Sequence, residues 1–115
     1  MNGICHIELP CADINKMKDF YGAVFGWETE YIPQMDYGLW KAPEGVGGGF
    51  AKNLKPSSKD SGVLLHILVD DIDGSLKKIE EHGGKTIKGK TEIPNIGHYA
   101  IFRDIAGNEI GIFKG

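Results

Sequence analysis

Three side chains that could bind a metal or move a proton lie on two predicted strands. His6 and Glu8 are two residues apart in the alternating stretch Ile4 to Leu9, so they share one face of a strand. His66 is the one polar residue in the apolar run from Val63 to Val69. Imidazole and carboxylate groups are ligands that divalent transition metals accept. An imidazole by itself can also transfer protons near neutral pH.

The same residues have plainer structural interpretations. His6 could be hydrogen-bonded inside a sheet. Glu8 and His66 could form a buried salt bridge or a hydrogen-bonded pair, which is the interpretation that we favour. Glu109 alternates onto the same face as Gly111 and could replace a carboxylate there, although a charge at the rim of a site explains it more simply. The sequence therefore leaves a displaced His/Glu/His metal site as an open alternative.

The first half of the chain has the pattern strand, helix, strand and hairpin. Asp13 is a plausible N-cap after the first strand, and Gly26 is suited to end a helix. Between them, apolar residues recur at helical spacing: Ile14, Met17, Phe20, Tyr21, Val24 and Phe25. A strand from Trp27 to Ile32 and a hairpin from Tyr37 to Lys52 complete this half.

The second half repeats the pattern, and the two hairpins echo each other without a gap. YGLWKAPEGVGGGFAK begins at Tyr37 and YAIFRDIAGNEIGIFK begins at Tyr99, so Gly49 aligns with Gly111. Before the second hairpin we predict a central strand at 63–69 buried on both faces, a helix and a short strand at 85–90. The helices align as well, and their offset places His6 on Leu64 and Glu8 on His66.

The duplication predicts the fold class and the place of a site. We predict an α+β protein with one domain over residues 1–115, built from two tandem βαβββ modules at 3–53 and 62–115. The modules would form a cupped, barrel-like mixed sheet with the helices outside, and their inner faces would line a cleft. Glycines in strands allow close approach, so Gly49 and Gly111 should widen it. The residues expected to line the cleft are His6, Glu8, Gly49, Phe50, Leu64, His66, Tyr99 and Gly111.

Composition excludes some partners. The net charge is −3 and no run of Lys or Arg exceeds a pair, which argues against nucleic acid and against an anionic membrane surface. No apolar run approaches membrane-spanning length. Cys5 is predicted to lie mid-strand and Cys11 just past the end of that strand, so we expect no disulfide between them. We predict reduced thiols and a cytoplasmic location, with Cys5 in the core.

Several landmarks together resemble the vicinal oxygen chelate superfamily, which includes glyoxalase I, bleomycin-resistance proteins and extradiol dioxygenases. They are His6 followed by a small loop and Asp13, the aromatic run Phe20-Tyr21 to Gly26-Trp27, the segment Val69-Asp70-Asp71-Ile72, and Asp104-x-x-Gly107-Asn108. The resemblance covers nearly the whole chain and implies paired βαβββ modules. It also implies a homodimer.

The resemblance further implies four positions for metal ligands, two in each module. Carried onto this sequence they are His6, Gly49, Leu64 and Gly111, of which only His6 has a side chain that can bind a metal. A catalytic divalent site usually needs about three protein ligands.

We therefore expect no cofactor and a metal-free protein that binds a small organic molecule between its modules. The alternative is a metal-dependent lyase or isomerase of the glyoxalase type with a displaced site at His6, Glu8 and His66. A third alternative is a regulatory or structural subunit with a vestigial cleft.

Overall fold

Each half of the chain has the order strand, helix, strand, strand, strand. The structure, a computed structural model, describes all residues from Met1 to Gly115. Two units are resolved in it, Met1–Pro56 and Ser57–Gly115, and the division falls inside the polar connector at 53–62. Each unit has one four-stranded sheet and one α-helix, so the predicted α+β class is confirmed.

The elements of unit 1 are β1 (His6–Pro10), α1 (Ile14–Phe25), β2 (Glu28–Ile32), β3 (Tyr37–Lys41) and β4 (Gly47–Ala51), with a short 3-10 turn at Pro33–Met35. Those of unit 2 are β5 (His66–Leu68), α2 (Ile72–Glu81), β6 (Lys85–Ile93), β7 (Gly97–Arg103) and β8 (Glu109–Lys114). No helix is long and apolar enough to cross a membrane.

Helix α1 begins and ends where the sequence indicates. The side chain of Asp13 accepts a hydrogen bond from the backbone N–H of Lys16 at 3.1 Å. Gly26 has a left-handed backbone with φ of 72° and closes the last turn. The helix buries the predicted apolar stripe, except Phe25, which stays half-buried: Ile14, Met17, Phe20, Tyr21 and Val24.

The sheet of unit 1 has the strand order β1-β4-β3-β2, with β1 parallel to β4 and the other pairs antiparallel. Glu8 and Leu39 lie opposite Gly49 on its two neighbouring strands. Since directly paired residues share a face, one face carries His6, Glu8, Leu39 and Gly49. The other face packs on α1, where a Cβ added at Gly38 would lie 2.8 Å from the side chain of Ile14.

The sheet of unit 2 has the same topology, β5-β8-β7-β6, and an equivalent register. His66 and Ile101 lie opposite Gly111, as Glu8 and Leu39 lie opposite Gly49 in unit 1. The predicted equivalences of Glu8 with His66 and of Gly49 with Gly111 are confirmed. We call the face that carries Gly49 or Gly111 the glycine face of its unit.

The first strand of unit 2 differs from its prediction. Only His66–Leu68 is a strand, not 63–69, and Leu68 is 70% exposed. β5 pairs with β8 alone and forms an edge of its sheet, so the prediction of a doubly buried central strand is wrong. Strand β6 is longer than predicted, because it continues past two irregularities in its pairing with β7 as far as Ile93.

Neither cysteine forms a disulfide, and the assignment of Cys5 to the core is wrong. β1 begins at His6 and not at Ile4, so Cys5 precedes the strand and is exposed. Cys11 follows the strand and is buried, where its N–H donates to the carbonyl of Ala51.

The β7–β8 turn explains the Asp104-x-x-Gly107-Asn108 landmark. Asp104 Oδ1 accepts hydrogen bonds from the backbone N–H groups of Ala106 and Asn108, each at 2.9 Å. Asn108 is fully buried, and its side-chain oxygen accepts from the N–H of Ser57 at 3.2 Å. The motif therefore builds the turn and ties the start of unit 2 to it.

Candidate functional site

A tyrosine joins the two chemically active residues of the first strand. The Nε2 atom of His6 lies 2.7 Å from the hydroxyl of Tyr37, and that hydroxyl lies 2.7 Å from Oε2 of Glu8. His6 and Glu8 come from β1 and Tyr37 from the start of β3, which are not adjacent because β4 lies between them. The phenol of Tyr37 therefore crosses β4 to reach both side chains of β1.

The glycines of β4 make this bridge possible. A Cβ added at Gly49 would overlap the hydroxyl of Tyr37, so the phenol occupies the space where a side chain at position 49 would begin. Sequence reasoning missed Tyr37 as a site residue, although it aligns with Tyr99. The signal was available: a glycine leaves the space above its strand open to a large side chain from a neighbouring strand.

The environment of Tyr37 keeps its phenol protonated. Partial burial, followed by the hydrogen bond to Glu8 and the charge of that carboxylate, raises the pKa of Tyr37 to about 12. A carboxylate can only accept, so the phenol is the donor in the bond to Glu8.

Unit 2 fills the equivalent space with a different ring. A Cβ added at Gly111 would overlap the imidazole of His66, which stands opposite it on β5. The expectation that Gly49 and Gly111 widen a cleft is therefore wrong, because rings of the same unit occupy the space beside both glycines. The sequence correctly predicted that another group approaches these glycines closely, but that group is a side chain and not a backbone or a ligand.

Tyr99 and its neighbours complete the glycine face of unit 2. The ring of Tyr99 lies 6.4 Å from that of His66 and is tilted from it by 58°. Lys88 donates a hydrogen bond to the hydroxyl of Tyr99, and its Nζ atom lies 4.9 Å from the ring centroid. Tyr37 bonds an imidazole and a carboxylate, whereas Tyr99 bonds an ammonium group.

Phe50 does not share the glycine face. It follows Gly49 on β4 and points to the helix side, where its ring lies 5.7 Å from Tyr21 and 6.3 Å from Trp40. It has no exposed surface. Phe50 is a core residue of unit 1, so its assignment to a ligand-binding face is corrected. Leu64 is half-buried and precedes the strand that begins at His66.

Glu109 is held in place by three donors. The N–H of Lys59 and the guanidinium of Arg103 each donate to it at 2.8 Å, and Ser58 Oγ donates at 3.2 Å. These bonds, led by that from Lys59, hold the pKa of the Glu109 carboxyl below its usual value. Only 7% of Glu109 is exposed, so it is neither the rim charge nor the replacement ligand considered from sequence.

The residues at the family's ligand positions do not fit a divalent metal. Rings cover Gly49 and Gly111, Leu64 has no donor atom, and the Nε2 atom of His6 is engaged by Tyr37. No group of three or more His, Cys, Asp or Glu side chains in the structure is placed to hold a metal ion.

The fold and these faces define a class of protein built from duplicated βαβββ units that meet in the sequence at a short polar connector. A sequence model of the glyoxalase/bleomycin resistance protein/dioxygenase superfamily matches residues 3–112. The chain belongs to that superfamily, as its sequence resemblance indicated.

Several known proteins are similar to this chain in sequence or in fold. A glyoxylase-like domain-containing protein from Didymella fabae is 26% identical over 113 residues, covering 91% of this chain and 88% of the relative. The fosfomycin resistance protein FosX from Listeria monocytogenes superposes with a TM-score of 0.79 at 18% identity, over 100% of this chain and 94% of that one. TnmS3, an antibiotic binding protein from Streptomyces sp. CB03234, superposes with a TM-score of 0.74 at 24% identity, over 99% and 96%.

Proposed function

We propose that this protein binds a small organic molecule and that it does so without a divalent metal. The observation that carries the proposal is the matched occupation of two ligand positions. In unit 1 the phenol of Tyr37 takes the space beside Gly49, and in unit 2 the imidazole of His66 takes the space beside Gly111. A metal would lose two of its four family ligands at these positions, because glycine has no side chain and a ring occupies the space beside each glycine.

The glycine face of unit 1 has the composition of a small-molecule site. His6 and Glu8 are exposed and can form directed hydrogen bonds, and Leu39 lies across β4 on the same face with 42% of its surface exposed. A few polar groups beside apolar surface suit an organic ligand. An antibiotic binding protein and an antibiotic resistance protein among the structural neighbours support this class of function. The location of the ligand between the modules, the homodimer and the cytoplasmic location remain predictions from sequence.

A thermal-shift screen tests the proposal. The panel would contain aromatic and peptide-like compounds, each measured with and without a chelator. A ligand at about 100 times its Kd stabilises a protein by about 2.7 kcal/mol, which raises Tm by several degrees. We expect at least one compound to do so equally with chelator present. The variant His6→Ala should reduce that shift, and Glu81→Gln, an exposed change at the end of α2, should not.

Metal analysis provides the opposing outcome. Protein purified without chelator should hold less than about a tenth of an equivalent of Ni, Zn, Fe or Mn, and adding these ions should leave Tm unchanged. A stoichiometric metal that is lost in His6→Ala or Glu8→Gln would instead support the lyase or isomerase alternative. A panel in which no compound raises Tm would also contradict the proposal.

A further inference from the structure

The hydrogen bonds around Tyr37 can run in only one direction. The carboxylate of Glu8 has no proton to give, so the phenol donates its proton to Glu8. The phenol oxygen has no second proton, so it must accept from Nε2 of His6. Nε2 therefore carries the imidazole proton. In the neutral ring, Nδ1 is then an unprotonated acceptor.

The two rings are arranged edge to edge. Their planes differ by 14° and their centroids are 6.3 Å apart. The hydrogen bond joins Nε2 of one ring to the hydroxyl of the other, and both atoms lie in the planes of their rings. The two ring planes are therefore nearly parallel, and Nδ1 lies away from the atom that bonds Tyr37. The phenol of Tyr37 packs against Gly49, which keeps it in this position.

We propose that His6 Nδ1 is the hydrogen-bond acceptor for the ligand, with Tyr37 and Glu8 as positioning residues that select its tautomer. The inference rests on the proposed binding function. It assigns the ligand to a chemical class: organic molecules with a weakly acidic O–H or N–H group, such as a phenol, an enol or an imide. The carboxylate at the end of the chain polarises the phenol and, through it, the imidazole, which strengthens Nδ1 as an acceptor.

The tautomer can be measured without any ligand. Long-range ¹H–¹⁵N correlation spectra of the uniformly labelled protein distinguish protonated from unprotonated ring nitrogens. We expect His6 to be protonated at Nε2. His82 is an internal reference, because its Nδ1 atom lies 2.8 Å from the carbonyl of Lys78 and must donate to it. His6 with its proton on Nδ1 would overturn the proposal.

A matched pair of probes tests the acceptor role. At a pH of about 7, 4-cyanophenol keeps its acidic O–H group, and its methyl ether, 4-methoxybenzonitrile, has the same shape at the ring but no donor. We expect 4-cyanophenol to shift the Nδ1 resonance of His6 in a saturable way and the ether to leave it unchanged. Equal shifts from both compounds, or no shift from either, would overturn the acceptor role.

Two variants test the positioning role. Tyr37→Phe removes the hydroxyl and should weaken 4-cyanophenol binding about three- to tenfold, with a mixture of His6 tautomers. Glu8→Gln keeps the shape of the side chain and removes its charge, and should weaken binding to a smaller extent. Tyr31→Phe is the control, because Tyr31 donates to a carboxylate of Asp36 at 2.8 Å but contacts no histidine. It should change neither the tautomer nor the binding.

The outcomes separate this inference from the function on which it rests. A compound from the thermal-shift panel that binds wild type and Tyr37→Phe equally well would leave the binding function standing and overturn the role of Tyr37. Loss of that compound's binding in Tyr37→Phe but not in Tyr31→Phe would support both.

Discussion

The hydroxyl of Tyr37 lies where a side chain at Gly49 would begin, and it is there that the phenol meets Glu8 and His6. The same relationship recurs in unit 2 between His66 and Gly111. In each unit, a ring from another strand occupies the space beside a glycine of the last strand, where a side chain would otherwise begin. The position of these rings accounts for the polar cluster in unit 1 and for the poor fit of a metal.

Gly49→Ala should remove the Tyr37 bridge. The new methyl group would force the ring away from its seat and break its bonds to Glu8 and His6. We expect a loss of about 1–3 kcal/mol in the free energy of unfolding, measured with urea. Gly89→Ala is the control, since a Cβ there meets nothing within 4 Å, and it should change stability by less than about 1 kcal/mol. In a Tyr37→Ala background the cost of Gly49→Ala should fall. An undiminished cost would contradict the assigned contact.

Tyr37 should ionise near pH 12, and this should make stability fall in alkali. Because its pKa is raised from 10.0 to about 12 in the folded chain, its contribution to stability is complete below pH 10. It is lost between pH 10 and 12, where only the unfolded chain releases the proton. NMR titration of the phenol carbon should report the raised pKa, and Glu8→Gln should lower it. Urea unfolding from pH 9 to 12 should show a steeper decline for wild type than for Tyr37→Phe. Equal slopes would contradict the role of the phenol.

Glu109 should make stability fall in acid. Its donors lower the pKa of its carboxyl below the ordinary 4.5, so its stabilising contribution is complete above that pH and is lost as the pH falls through the folded value. Glu109→Gln should cost about 1–3 kcal/mol at pH 7 and flatten the acid limb of the stability curve. Glu92→Gln, an exposed change on β6, is expected to keep the wild-type curve. Similar curves for the two variants would show that the donors around Glu109 contribute little.

Phe50 should behave as a core residue. Phe50→Ala is expected to cost about 3–5 kcal/mol, because it empties space against Tyr21 and Trp40. Leu39→Ala, on the exposed glycine face, should cost less than about 1 kcal/mol. Both values come from urea unfolding. A mild effect of Phe50→Ala together with lost ligand binding would restore the assignment made from sequence.

Local signals were sufficient to predict much of the fold. Helix α1 begins after Asp13 and ends before Gly26 as expected, because caps depend on residues within one turn of the helix. The echo of the hairpins predicted the shared register at Gly49 and Gly111, since equal spacing along equivalent strands produces equal pairing. The strand at 63–69 was overestimated, because apolar composition does not reveal how many partners a strand has.

The sequence by itself determined the duplicated βαβββ order, the face shared by His6 and Glu8, and the loss of side chains at Gly49 and Gly111. The tertiary structure alone decided what fills those two positions and how His6 is oriented. Tyr37 is 12 residues from Gly49 in sequence, and β4 separates its strand from that of His6 and Glu8. It reaches them because β4 has a glycine at the point where the phenol crosses. Contacts across three strands depend on strand order and rotamer, which a pattern along a single strand does not contain.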